Sequence, residues 1–103
     1  QPFMSSFRTY DLAVNFYELC EKIKVRGPLR DQLTRASSSI ALNLKEGSAQ
    51  PTFKNRIRFY FIALGSLREV QAIIDLKKLH SLRAPADMLG AHLFRLCHQK
   101  QPH

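Results

Sequence analysis

The chain has 103 residues, 45% of them apolar, and sixteen lysines and arginines against eight acidic residues give it a formal charge of +8. This length favours one domain, the apolar content excludes a disordered chain, and the sequence has no run of about 18 apolar residues that could cross a membrane. The charge indicates an anionic partner, most commonly nucleic acid, with anionic lipid or an acidic protein as alternatives.

Apolar residues recur at helical spacing in four segments, at about residues 7–25, 29–46, 52–81 and 85–98. Gly27 and Pro28 separate the first two helices, since glycine suits a helix end and proline a first turn. Gly47 is expected to cap the second helix and Thr52 to begin the third. Four helices with short connections predict an all-α, antiparallel up-down four-helix bundle in a single domain over residues 1–103.

The third helix carries two apolar stripes, whereas a surface helix of a small protein needs only one. The first comprises Phe53, Ile57, Tyr60, Phe61, Leu64, Leu67 and Ile74, and the second Phe59, Ile62, Ala63, Val70 and Ile73. One stripe should face the bundle. The other either faces a neighbouring subunit, which the pattern favours, or is covered by helices of the same chain. The aromatic run Phe59–Phe61 is predicted to pack in the core rather than to stack on nucleic-acid bases.

The second and third helices are joined by a short turn and should run antiparallel, so residue numbers in contact should sum to about 105. This register pairs Ser39 with Ser66 and Arg35 with Glu69. It also places Gly65 against the small side chains of residues 36–39. A glycine in a helix interior costs about 1 kcal/mol relative to alanine, and a close approach of the two helices would explain its presence.

Two segments carry a family resemblance. The segment from Arg35 to Gly47 resembles the signature RAxxSIxxNIxEG, and the segment from Phe61 to Glu69 resembles a second signature whose core is AxGSxxE. Both belong to the bacterial four-helix-bundle proteins encoded by intervening sequences of large-subunit ribosomal RNA genes. Residues 10–14 are similar to the first-helix motif of that family. The departures are small: leucine at position 44 for the usual isoleucine, and Lys45 where alanine is common.

The resemblance implies a bundle that assembles as a ring-shaped homopentamer with a central pore. It also implies kinship with the accessory protein of diversity-generating retroelements, which works with a reverse transcriptase and binds nucleic acid. Together with the charge of +8, it leads us to expect a non-enzymatic, oligomeric module that binds structured RNA through basic surfaces. The alternative is a protein-interaction scaffold or accessory subunit, for example for a retroelement reverse transcriptase.

Basic residues form two groups that an antiparallel bundle would place at opposite ends. We predict that they bind the phosphate backbone of structured RNA, although each group could also be a merely solvated surface. The predicted nucleic-acid-binding residues are Lys22, Lys24, Arg26, Arg30, Lys45, Lys54, Arg56 and Arg58. No recognition helix for reading bases is visible.

The polar residues and glycines of the two signatures have a structural interpretation. Arg35, Ser39, Asn43, Glu46, Gly47, Gly65, Ser66 and Glu69 are expected to fix helix register and helix ends. Glu46 and Glu69 lie too far apart in this register to act as an acid–base pair. The four histidines and two cysteines show no metal-ligand spacing, so no catalytic residue, metal or cofactor is predicted. Two buried free thiols favour a reducing, cytoplasmic setting.

Overall fold

Glycine and proline set the boundary between the first two helices. The computed structural model describes residues 2–101, with side chains from residue 6 onward. Its helices are α1 (Pro2–Lys22), α2 (Pro28–Ser48), α3 (Phe53–Lys77) and α4 (Arg83–Cys97), and a 3-10 turn at His80–Leu82 precedes α4. Gly27 has φ +77°, a left-handed conformation that favours glycine, and Pro28 occupies the first turn of α2. No strand is present among the described residues.

The helix ends differ from the predicted ones for identifiable reasons. Helix α1 ends at Lys22 rather than at residue 25. The carbonyls of Ile23 and Val25, which follow it, accept hydrogen bonds from the Arg30 side chain of α2. Helix α2 continues through Gly47, so the prediction that Gly47 is the C-cap was wrong. Thr52 does cap α3, since its Oγ1 accepts from the Asn55 N–H at 3.2 Å. Helix α3 stops at Lys77, where Lys78 turns left-handed with φ 55°.

Contacts between side chains establish the predicted up-down, antiparallel order. Tyr10 meets Lys45 between α1 and α2, and Asp75 meets Arg83 between α3 and the start of α4. Neighbouring helices pack around the bundle in the order α1, α2, α3, α4 and back to α1. The long dimension is 47 Å. One end therefore holds the ends of α1 and α3 with the starts of α2 and α4, and the other end holds the remaining four termini.

The predicted register between α2 and α3 is confirmed at two points. Ser39 Oγ and Ser66 Oγ lie 2.8 Å apart, and Arg35 Nη2 donates to Glu69 Oε2 at 2.6 Å. Asn43 Nδ2 donates to the Ser39 carbonyl at 2.9 Å and to Ser39 Oγ at 3.0 Å, which ties the serine pair to the next turn of α2. These short polar side chains fix how far α2 can slide along α3.

The prediction about Gly65 was wrong. Gly65 is exposed, and a Cβ added there would meet nothing within 4 Å. The close approach of α2 to α3 occurs instead at Gly47, where a Cβ would lie 2.9 Å from both Phe59 Cβ and Tyr60 Cε1. Glycine is therefore required at the end of α2, because any side chain at position 47 would collide with α3.

Helix α3 buries residues of both apolar stripes because it packs against α2 on one side and α4 on the other. From the second stripe, Ala63, Val70 and Ile73 lie inside the chain's own core. For these three residues the neighbouring-subunit interpretation was wrong. Phe61 and Ile62 remain 46% and 41% exposed. Tyr60 is buried as predicted, but the core assignment of Phe61 was wrong.

The Arg35–Glu69 pair permits a direct test of the register. We expect Arg35→Glu and Glu69→Arg each to lower the free energy of unfolding by roughly 0.5–1 kcal/mol, since both side chains are substantially exposed. The double variant should recover most of that loss, because the ion pair is restored in reverse. Chemical denaturation of the four proteins measures the coupling. Additive losses in the double variant would show that the pair does not link the helices.

Candidate nucleic-acid interface

Five exposed cations lie at the end of the bundle where α1 and α3 finish. Three of them, Lys22, Lys24 and Arg26, follow from the predicted group, and the fold adds Lys77 and Lys78 from the end of α3. We name these five residues the link-end cluster. Within residues 6–101, none of the five lies within 4.0 Å of a carboxylate. Two acidic residues of this end, Glu21 and Asp75, are held instead by Arg30 and Arg83. The cluster therefore presents unneutralised positive charge.

Arg30 belongs to the same end but has a structural role. Its guanidinium donates to the carbonyl of Ile23, to that of Cys20 at 3.2 Å and to that of Val25 at 3.4 Å. It also donates to Thr34 Oγ1 at 3.3 Å. Carbonyls at a helix C-terminus lack partners within the helix, and Arg30 supplies them for α1. With its donors engaged and its side chain only 24% exposed, Arg30 has little capacity left for phosphate, and we leave it out of the proposed interface.

The second predicted group lies at the opposite end, and we name Lys45, Lys54, Arg56 and Arg58 the pocket-end cluster. Lys45 Nζ lies 5.1 Å from the centroid of the Tyr10 ring. The Arg58 guanidinium carbon lies 4.6 Å from the Phe59 ring centroid. Aromatic faces attract cations, so both side chains are held against the protein with their charge still accessible. Arg56 donates to the Gln50 carbonyl at 3.0 Å.

A cavity of about 490 Å³ opens among the helix termini at this end, and we name it the end cavity. Its lining residues come from α1, α2, α3 and the segment after α4. They are the aromatic residues Phe7, Tyr10, Phe53 and Tyr60, the cations Lys45 and Arg56, and the polar residues Ser6, Asp11, Ser48 and Gln99. Burial raises the pKa of the Tyr60 phenol, so Tyr60 stays neutral there. Aromatic walls with a few polar groups are typical of ligand-binding pockets.

The polar signature residues lie where a structural role requires them. Glu46 is exposed at the end of α2, and its Oε2 accepts from Gln50 Nε2 at 3.1 Å, which holds the turn before α3. Glu69 is bound to Arg35, eleven residues before Glu46 along α2, so the two carboxylates share no pocket. Among the described residues, no group of three histidine, cysteine or acidic side chains could hold a metal ion.

Both cysteines are free and buried, as predicted. Burial raises the pKa of the Cys20 thiol to about 11, and it does the same for Cys97. Neither thiol is therefore a ready nucleophile. None of the described helices combines the length and apolar character needed to span a bilayer.

Sequence reasoning missed Lys77, Lys78 and the end cavity. The two lysines sit in a charged run at the end of a helix, and only the topology brings them beside the first link. The end cavity is built by residues from four separate segments, with Tyr60 counted as core. Its one sequence signal is the pair of tyrosines 10 and 60, each of which falls near a terminus of its helix at the same end of an antiparallel bundle.

Comparison with known proteins places the chain in a family. Residues 7–87 match the family model described as 23S rRNA-intervening sequence protein. No curated protein and no solved structure matches the chain at a significant level. The matched region contains all of α2 and α3, including both signature segments, most of α1 and the start of α4. Because the match covers most of the chain, the protein belongs to the 23S rRNA-intervening sequence protein family.

Proposed function

We propose that this protein binds structured RNA in the cytoplasm, as a non-enzymatic homo-oligomer, through basic side chains at the two ends of its bundle. The observation that carries the proposal is the link-end cluster, in which five exposed cations at the ends of α1 and α3 and in the segments that follow share one end of the bundle, none of them with a carboxylate within 4.0 Å in the described chain. The family takes its name from intervening sequences of 23S rRNA, which supports RNA as the ligand.

The mode of binding follows from which side chains are available. Lysine and arginine neutralise phosphates and release counterions, and this contribution to the binding free energy does not depend on the RNA sequence. Neither cluster lies on an asparagine-rich or glutamine-rich helix face of the kind that reads base edges. We therefore propose recognition of RNA shape and backbone rather than of a long sequence.

A salt series tests the proposal. Affinity for a fluorescein-labelled RNA hairpin, measured by anisotropy between 50 and 200 mM salt, should fall steeply. Replacing three link-end cations with glutamine (Lys22, Lys24 and Lys77) should weaken binding at least about tenfold at low salt and reduce the slope by about 3, roughly one unit per lost phosphate contact.

The matched control makes the same change of net charge near the middle of α3 and α4, with Arg68→Glu and Ala91→Glu at two exposed positions away from both clusters. It changes the net charge equally, so a smaller loss than in the link-end variant would locate the interface. Equal losses of affinity in the two variants would show that only the net charge of the protein matters. Absence of binding by the unmodified protein at 50 mM salt would refute the proposal.

Self-association is the second part of the proposal, and the resemblance of the two signatures points to a homopentameric ring. Its support in this chain is a set of exposed apolar side chains. Leu42 on α2 is 67% exposed and Ile62 on α3 is 41% exposed. The α2–α3 register sets them at the same height on the bundle. Exposed apolar groups brought together in this way are typical of association surfaces.

We expect the protein to have a solution mass of about 60 kDa, five times the 11.9 kDa chain. Leu42→Asp with Ile62→Asp should lower that mass to the monomer value, because burying a carboxylate between apolar surfaces is unfavourable. Met88→Asp alters a side chain on α4 that is 56% exposed, and it serves as the control. Light scattering gives the mass, and circular dichroism shows that the helices persist. A monomeric unmodified protein would contradict this part.

The same apolar surface supports a second candidate function, an accessory role toward a protein such as a retroelement reverse transcriptase. The two functions differ in their response to salt. Binding that requires the protein partner and persists at moderate salt would favour the accessory role, since apolar contacts are not screened.

A further inference from the structure

We infer that the end cavity holds one unpaired nucleotide of the bound RNA, with its base among the aromatic side chains and its phosphate against Lys45 and Arg56. The inference rests on the proposed RNA binding and adds to it a site for a single nucleotide. Three properties of the end cavity carry it: its walls, its cations and its net charge.

The walls suit a planar base. Aromatic side chains enter from different helices, with Tyr10 on α1 and Phe53 and Tyr60 on α3. A volume of about 490 Å³ falls within the range of pockets that enclose small organic ligands. Single-stranded nucleic acids bind proteins largely by stacking bases on such side chains, and every base offers a flat face for that contact. Ser48 and Gln99 offer acceptor oxygens at the same wall, since the Ser48 hydroxyl donates to the Lys45 carbonyl and the Gln99 amide to the Leu96 carbonyl.

The cations are positioned before a ligand arrives. Lys45 Nζ is held 5.1 Å from the Tyr10 ring centroid, and Arg56 Nη1 is fixed by the Gln50 carbonyl at 3.0 Å. Within the described chain, the other guanidinium nitrogens of Arg56 make no hydrogen bond to protein. A guanidinium presents paired donors that match the oxygens of a phosphate group. Two cations from different helices therefore converge on one opening.

The net charge of the end cavity favours a nucleotide within an RNA chain over a free nucleotide. Asp11 also lines the wall, so two cations and one carboxylate leave a single positive charge. A phosphodiester within a chain carries one negative charge, whereas a free nucleotide carries nearly two and a triphosphate more. The end cavity thus matches an internal nucleotide of RNA better than a free metabolite.

The test uses 2-aminopurine, a fluorescent base whose emission falls when it stacks. Three probes are compared: an RNA hairpin with one bulged 2-aminopurine, the fully paired hairpin of equal length, and free 2-aminopurine riboside monophosphate. We expect the unmodified protein to bind the bulged RNA at least about fivefold more tightly than the paired RNA, as the stacking of one base allows. The emission of the bulged probe should change on binding.

Ser48→Phe fills the end cavity without altering charge, since Ser48 is exposed at the last residue of α2 and lines the wall. This variant should bind the bulged and paired hairpins equally, at the affinity of the unmodified protein for the paired one, and should leave the emission unchanged. Ala49→Phe adds the same ring at a neighbouring exposed residue outside the lining and should behave as the unmodified protein does.

The outcomes distinguish the inference from the proposed function. A retained preference and emission change in Ser48→Phe would overturn the inference while RNA binding stands. Tighter binding of the free nucleotide than of the bulged hairpin would overturn the assignment to an internal nucleotide of RNA. If no hairpin binds at low salt, the proposed function fails, and the inference that rests on it fails with it.

Discussion

Arg30→Met should lower the free energy of unfolding by about 2–3 kcal/mol, because hydrogen bonds from a charged donor are worth roughly 1.5–3 kcal/mol and leave costly unpaired acceptors when removed. The carbonyls of Ile23 and Val25 would lose the guanidinium together, while the Cys20 carbonyl would keep the Ile23 N–H at 3.3 Å. Methionine keeps most of the length and apolar stem of the arginine side chain, so the loss reports the guanidinium. Urea denaturation followed by circular dichroism measures it.

Two controls bound the interpretation of the Arg30 result. Arg30→Lys should recover only a small part of the stability, since one ammonium group cannot replace a planar fork that reaches several acceptors. Lys24→Ala removes an exposed cation from the adjacent link and should change stability by less than about 0.5 kcal/mol. Full recovery in Arg30→Lys would show that charge near the end of α1, rather than hydrogen bonding, is what matters.

Gly47→Ala should destabilise the protein although alanine is the better helix former. The added Cβ would lie 2.9 Å from Phe59 Cβ, an atom fixed close to the α3 backbone, and 2.9 Å from the Tyr60 ring. Overpacking costs typically 1–3 kcal/mol, and the gain in helix propensity offsets about 1 kcal/mol. We expect a net loss of up to about 2 kcal/mol, and a melting temperature lower by roughly 4–8 °C per kcal/mol.

Gly65→Ala is the matched control because it makes the same substitution in a helix interior without a contact within 4 Å. Its stability should rise by about 0.5–1 kcal/mol. Opposite signs for the two alanines would confirm that position 47, not position 65, is the site of close helix approach. A loss at position 65 would indicate instead that a neighbouring chain lies on that face of α3.

The fold could be predicted where one regular geometry governs the outcome. The rise per residue of an α-helix is fixed, so the position of the turn between two antiparallel helices sets which residues face each other. The Ser39–Ser66 and Arg35–Glu69 contacts follow from it. The helical spacing of apolar residues in the second segment is likewise matched by the burial of Leu33, Ala36, Ile40 and Leu44. Helix spacing in the sequence also separated the basic residues into two ends.

Prediction failed where a residue's role depends on an element distant in the chain. The pattern could not show which glycine meets a neighbouring helix, since Gly47 and Gly65 each fit a small-residue position. Arg30 resembled any other cation in a basic run, because its acceptors are main-chain carbonyls that leave no sequence signal. Both stripes of α3 were real, but the number of helices that would cover them depended on where α4 packs.

The two native cysteines are buried and react slowly, so a cysteine introduced elsewhere can be labelled selectively. With the pKa of Cys20 and Cys97 at about 11, roughly one thiol in ten thousand is ionised at pH 7. A cysteine introduced on the surface would thus react with maleimide reagents far ahead of the native pair, so spin labels or dyes could report on RNA contact and subunit spacing without removing either native residue. The native cysteines can react only when the helices around them open, so their modification rate measures how often local unfolding occurs.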